Sequence, residues 1–162
     1  TDDVVLDDTY KEYLFTFKDI HPETNTQEFT FNMSIDTGSN YNVTKTTTTF
    51  DAQQDESAGN LGLAYASGSD LAQSTAFKAI TVVTGNDNDA CTCGMLRLFN
   101  PSSTTFVKHF IAQSSTYRSD IQMNYNWFTA GYGNTTSAVD AIQFKFASGN
   151  IDAGDICLYG IN

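Results

Sequence analysis

Phe29-Thr-Phe31-Asn-Met33-Ser-Ile35 decides the fold class. Every second residue is large and apolar, and Thr, Asn and Ser stand between them. Side chains of an extended chain alternate between two faces, so this spacing lines one face of a strand. Tyr13-Leu-Phe15-Thr-Phe17-Lys18 has the same period. Working outward, Tyr41–Phe50, Leu61–Tyr65, Phe77–Thr84, Met95–Phe99, Thr105–Ala112, Ile121–Trp127, Ala138–Ala147 and Asp155–Ile161 read as further strands. Residues 51–60 and 85–89 read as polar loops. Asp36–Asn40, Asn100–Ser103 and Ser148–Asn150 read as turns, and Ser67–Asp70 as a turn or the cap of a short helical turn over 70–75. Gly131, Gly133 and Asn134 add to the punctuation. No stretch sustains the 3.6-residue period of a helix. The chain is therefore all-β, with about ten short strands and little helix, arranged as a sandwich or barrel. Phe15, Phe17, Phe29, Phe31, Phe144 and Phe146 are the expected core.

The 162 residues make one ordinary domain. Residues 1–12 read as an acidic, arm-like segment and 13–162 as a single sandwich domain, with no linker or internal repeat. Eight Lys and Arg stand against 19 Asp and Glu, for a net charge of -11. The cations are scattered singly from Lys11 to Lys145. No basic face is available to displace counterions from nucleic acid or to meet anionic lipid. Apolar runs such as Ala79–Val83 fall far short of the about 20 residues that cross a bilayer as a helix, so membrane insertion is not expected. The chain opens on Thr1 with no secretory or transit signal, as a trimmed form would.

Chemistry is sparse. No G-x-S-x-G nucleophile motif occurs, and Ser69 in Gly68-Ser-Asp70 lacks the flanking glycines. His109 sits inside an alternating strand, and His21 before Pro22 reads as local structure. Glu12, Glu23, Glu28 and Glu56 form no strand-centred acidic array of the glycosidase kind. Glu28 opens a strand and reads as solvent-facing. Neither catalysis nor a cofactor is expected. Nor is a metal site; the weak candidates are Asp87 and Asp89, whose hard oxygens suit calcium but lack the Gly and distal Glu of an EF-hand. Asp152 and Asp155 beside Gly154 are a similar pair.

Three cysteines make an odd count. A Cys91–Cys93 bond would close a small, strained ring, and a bond from either to Cys157 stays open. The plainest reading is three free thiols. The C-x-C spacing is shorter than that of common structural zinc pairs. N-x-S/T sequons at Asn32, Asn42 and Asn134 read as accidents of a Thr- and Asn-rich chain. Tyr125, Trp127 and Tyr132 are the candidate ligand-binding residues. Such rings stack on sugars, and Asn124, Asn126 and Asn134 can supply hydrogen bonds. The plainer use of the same rings is core packing.

The run Asn134–Ile161, with Phe144-Lys-Phe146-Ala-Ser-Gly-Asn-Ile151-Asp-Ala-Gly-Asp-Ile156-Cys-Leu-Tyr-Gly-Ile161, resembles the ending of jelly-roll modules in virion proteins of tailed phages, especially those of marine bacteria. There the pattern F-x-F/S-x-S-G-N-I-x-x-G-x-I-x-L-Y-G-I closes the domain. Tyr13–Pro22, Phe29–Phe31 and Ser34–Tyr41 match the front of the same module, so the resemblance spans nearly the whole chain. Cys157 departs from it, standing where the pattern has Lys or another polar residue. Ile156, Leu158 and Gly160 face one way and Cys157, Tyr159 and Ile161 the other. A strand apolar on both faces belongs inside a fold or at a subunit interface, which makes Cys157 an expected buried thiol.

The resemblance implies a two-sheet antiparallel jelly-roll sandwich on the virion surface, as capsid decoration or part of a tail fibre or adhesin. It implies other virion proteins as partners, a multimeric state and a possible host surface glycan as ligand. It carries over no active site. The alternatives are a free carbohydrate-binding module and, behind it, a sandwich-fold glycoside hydrolase.

Overall fold

The computed structural model describes residues 6–162, among which there are ten strands and a 3-10 turn at Ser67–Ser69. Strands β1 (Glu12–Pro22), β2 (Phe29–Ser34), β3 (Lys45–Asp55), β4 (Leu61–Tyr65) and β5 (Lys78–Ala79) precede β6 (Thr92–Phe99), β7 (Lys108–Arg118), β8 (Met123–Gly133), β9 (Ala141–Phe146) and β10 (Ile151–Ile161). They form a seven-stranded sheet, β10-β1-β6-β7-β8-β3-β4, and a three-stranded sheet, β5-β2-β9. Every pairing is antiparallel. Of the sandwich and barrel that the alternation allows, the architecture is the two-sheet antiparallel sandwich. Its sheets are unequal.

The core lies where the small sheet covers the middle of the large one. Tyr13, Phe15 and Phe17 of β1, Leu96 and Leu98 of β6, and Phe110 of β7 are buried with Phe29, Phe31 and Met33 of β2 and Phe146 of β9. The rings meet edge to face, with centroids 5.3 Å apart for Phe17–Phe29 and 4.9 Å for Phe31–Phe110. That geometry suits their quadrupoles. Phe144 is only half-buried. It touches Phe15 and Phe17 but stands at the mouth between the β9 and β10 edges, beside Ile142 and Leu158.

Several expectations are revised by partners distant in sequence. Residues 51–55 continue β3, because β8 pairs with it as far as Asp55↔Met123. Of 77–84, only Lys78–Ala79 joins a sheet, and the helical turn lies before 70–75. Gly131 and Gly133 sit within β8. A Cβ on Gly131 would stand 2.7 Å from the Thr46 carbonyl oxygen and 2.8 Å from the Phe110 ring, so this glycine is there for close approach. Leu6 is buried, Tyr10 packs edge-on against Tyr13, and Tyr13 donates its hydroxyl hydrogen to Asp7. Residues 6–12 thus pack on the sandwich instead of standing off as an arm; the rest of 1–12 lies outside the described residues. Cys157 is exposed, not buried, because it stands opposite Thr16 on the face of the large sheet that points away from the small one.

Substitution depth should follow this map. Phe29→Ala is expected to cost about 3–5 kcal/mol, as ring removal from a packed core does. Phe144→Ala should cost clearly less, since its site already opens to solvent. Urea unfolding of both variants checks the order, and equal losses would contradict the half-open mouth.

Candidate functional site

Among the described residues, none covers the face of the seven-stranded sheet that points away from the small sheet. Strand register sets its rows. One runs Tyr65, Phe50, Phe128, Gln113, Met95, Thr16, Cys157 across β4, β3, β8, β7, β6, β1 and β10. The next runs Thr48, Ala130, Ile111, Arg97, Leu14, Tyr159. Phe50 and Phe128 stack face to face at 4.8 Å with an interplanar angle of 7°. Beside them, β4 presents Leu61, Leu63 and Tyr65 at 71%, 75% and 64% exposure. The turn that returns this strand is tied by Asp55, whose carboxylate accepts hydrogen bonds from Gly59 N–H, Asn60 N–H and the Asn60 amide. Those bonds, the Asn60 side chain's foremost, hold its carboxyl below the ordinary range. At the far end of β4 the Tyr65 hydroxyl donates to Asp70.

A groove of about 480 Å³ opens on the same face, lined among others by Thr46, Thr48, Phe99, His109, Ile111 and Tyr132. His109 lies 6.0 Å from the Tyr132 ring. Of the three aromatic candidates, Tyr132 alone reaches this face. Trp127 points the other way and is 5% exposed, and Tyr125 shares its face, opposite Thr116. The physical reason is parity: within one strand, odd and even positions take opposite sides. The alternation from Met123 to Gly133 carried that signal. The amides are also engaged. Gln113 donates to Asn126, Ser115 donates to Asn124, and Asn134 donates to Gln73. Phe50, Phe128 and the β4 residues were not among the candidates; the alternation Leu61-Gly-Leu63-Ala-Tyr65 is the sequence trace they leave.

At the β1–β6 corner a cavity of about 410 Å³ is lined by Asp19, His21, Asn88, Asp89, Ala90, Cys91, Asp152 and Ala153. Asp19, Cys91 and Cys93 place one ligand atom each within 4.8 Å of one another. His21 Nδ1 stands 3.3 Å from Asp152, and its Nε2 is 3.2 Å from the Asp87 carbonyl oxygen. Asp87 therefore meets His21 through its main chain, and Asp89 lines the cavity. Burial, then the neighbouring Cys93 and Asp19, push the Cys91 thiol up. All three cysteines are free thiols. Cys157 lies apart on β10, with β1 between it and β6.

Inside the sandwich, Lys45, Lys78 and Lys108 are fully buried. Lys45 Nζ donates to Asn32 Oδ1 at 2.5 Å and to the Val43 carbonyl at 2.7 Å. Lys78 Nζ donates to Thr49 Oγ1 and the Ser69 carbonyl. Lys108 Nζ donates to the carbonyls of Phe106 and Thr135. Asn32, one of the sequon residues, is consequently interior. Glu28 is half-buried, and desolvation raises its carboxyl against the pull of Lys78, so it is not the free surface acid its position implied.

The fold defines the chain as an all-β two-sheet sandwich with one bare face. No protein family, curated protein or solved structure matches it.

Burial lowers Lys45 and Lys78 from 10.5 to about 8, with Asp70 and Glu28 opposing the shift at Lys78. Below the folded value both folded and unfolded chains hold the proton, and the burial penalty is full. Between the folded value and 10.5 the unfolded chain binds more protons, so this contribution to stability rises with pH. The raised Cys91 thiol acts in the opposite sense. The slope should therefore be read as a difference. From about pH 7.5 to about pH 9.5 the wild type should gain urea resistance relative to Lys45→Met/Lys78→Met, and parallel curves would contradict the assignment.

Proposed function

We propose that this chain is a non-enzymatic surface component of a tailed-phage particle, a jelly-roll-type module held in place by neighbouring protein subunits. The observation that carries this reading is the apolar strip Leu61, Leu63, Tyr65, Phe50 and Phe128 on the bare sheet face. Contiguous exposed apolar surface of this kind marks interaction sites. The outer edge of β4 adds unpaired backbone groups, which favour strand addition or a covering partner. The resemblance of Tyr13–Tyr41 and Asn134–Ile161 to virion modules supports the kind of assembly. Repetition in a particle lets weak single contacts sum to firm attachment. A net charge of -11 keeps such a surface from binding acidic polymers indiscriminately.

A second reading, contact with a host glycan, is favoured by the groove that sets Tyr132 and His109 beside the hydroxyls of Thr46 and Thr48. An aromatic face next to hydroxyl groups suits a sugar ring. The two readings use different residues on one face, so substitution separates them.

Leu61→Asp/Leu63→Asp alters exposed positions, where stability changes are ordinarily within about 0.5 kcal/mol. The variant is expected to fold as the wild type does yet fail to incorporate into purified particles. Tyr132→Ala is expected to incorporate normally, with host adsorption reduced if the groove holds glycan. Absence of the wild-type protein from particles would remove the virion reading. Full incorporation of the Leu61/Leu63 variant would remove the role of the β4 strip.

A further inference from the structure

We propose that Asp19, Cys91 and Cys93 form a binding site for a thiophilic divalent cation of the zinc class. Its ligands come from a bulge in β1 and from the start of β6. This inference is independent of the reading above.

The fold assembles the three groups by two devices. Cys91 and Cys93 are two residues apart on an extended segment, so both thiols project from one face. In β1 the pairing slips between Lys18 and His21, and Asp19 takes a positive φ of 51°. A bulge bends its strand and re-aims a side chain, and here it turns Asp19 onto Cys93. Asp19 N–H donates to Cys93 Sγ at 3.3 Å, and Asp19 Oδ1 lies 3.4 Å from the same sulfur. The bulge is accommodated from the other side by Gly154, at φ 113°. A Cβ there would stand 2.6 Å from the Asp19 carbonyl oxygen.

The spacing suits a tetrahedral ion. With Zn–S of about 2.3 Å and Zn–O of about 2.0 Å, ligand atoms stand about 3.3–3.8 Å apart. The Asp19–Cys93 separation is already there, and the whole set lies within 4.8 Å. Small side-chain motions therefore close the site.

Charge is the second observation. The cavity beside the cluster is lined also by Asp89 and Asp152, and by no Lys or Arg. Its ionisable lining is thus acidic apart from His21. A divalent cation would supply the missing positive charge. His21 lines the same cavity, held between Asp152 and the Asp87 carbonyl. With both ring nitrogens engaged, His21 is not a ligand, and solvent takes the fourth position.

Two sulfur ligands decide the class of ion. Thiolates select zinc, cadmium or cobalt over calcium and magnesium, which take oxygen sets. Binding converts two thiols to thiolates and releases two protons, and nothing is oxidised or reduced. The bound ion would tie the β1 bulge to the segment entering β6.

The test is cobalt titration of the reduced full chain. Thiolate-to-cobalt charge-transfer absorption should appear in the near ultraviolet, saturate at one equivalent, and be displaced by zinc but not by calcium. Cys91→Ser and Cys93→Ser should each abolish it. Asp19→Asn, which removes a charged ligand, should weaken binding, and Cys157→Ser should leave it unchanged. A measurement on the wild type covers variants that fail to fold. Zinc should slow iodoacetamide alkylation of Cys91 and Cys93, read by peptide mass spectrometry, while exposed Cys157 reacts as before. Absence of the band, its loss in Cys157→Ser, equal alkylation with and without zinc, or a resting Cys91–Cys93 disulfide would each overturn the proposal.

Discussion

Three strands cannot cover seven, and most of this molecule's chemistry follows from that mismatch. Neighbouring strands lie about 4.8 Å apart, so the large sheet spans about 29 Å and the small one about 10 Å. The phenylalanine rings fill the space where the sheets overlap, under β1, β6 and β7. Beyond the overlap, the β3 side is finished by irregular chain: Lys45 N–H donates to the Ser74 carbonyl and Thr47 N–H to the Leu71 carbonyl. Irregular chain brings carbonyls that need donors. Lys45 and Lys78 meet that need, reaching Val43, Ser69, Asn32 and Thr49 with long apolar stems and a multiply donating head. At the two ends of the large sheet cover runs out: every β4 side chain is exposed, and β10 keeps only Ile151 and Leu158 partly packed on the core.

The interior thus has two characters. One half is aromatic, and its energy comes from area removed from water. The other half is a lattice of neutral oxygens around ammonium groups. Its cost is the desolvation of charge, relieved by every hydrogen bond it makes. Asn32 is the hinge between the halves. Its amide donates to the carbonyls of Tyr41 and Thr75 while its oxygen accepts from Lys45, and its strand neighbours Phe31 and Met33 belong to the aromatic half.

Much of the fold was legible because alternation is local. Tyr13–Phe17 and Phe29–Met33 announce their inward faces without reference to any partner. So does the β10 pattern, whose Ile156 and Leu158 do stand opposite Phe17 and Phe15. What was not legible depends on pairing. Whether Cys157 is covered turns on which face of the large sheet the small sheet packs against. Whether Lys45 is inside turns on Asn32 being beside it. Tyr125, Trp127 and Tyr132 looked like one cluster because they are close in sequence, yet period two divides them. Asp19 and the cysteines are 72 and 74 residues apart, and only the β1–β6 register and the β1 bulge bring them together.

The pairing of β1 with β10 also fixes how the domain would answer mechanical tension. Glu12 lies opposite Ile161, so the start of β1 and the end of β10 share one corner of the sheet. Tension between residues 12 and 161 would act across the strand pair, not along it. The hydrogen bonds between β1 and β10 would then open one after another from that corner, each bearing the load alone. A strand pair pulled lengthwise shares the load among all its bonds at once. Drawn from that corner, this sandwich would peel open along the β1–β10 seam at lower force than a strand pair loaded lengthwise.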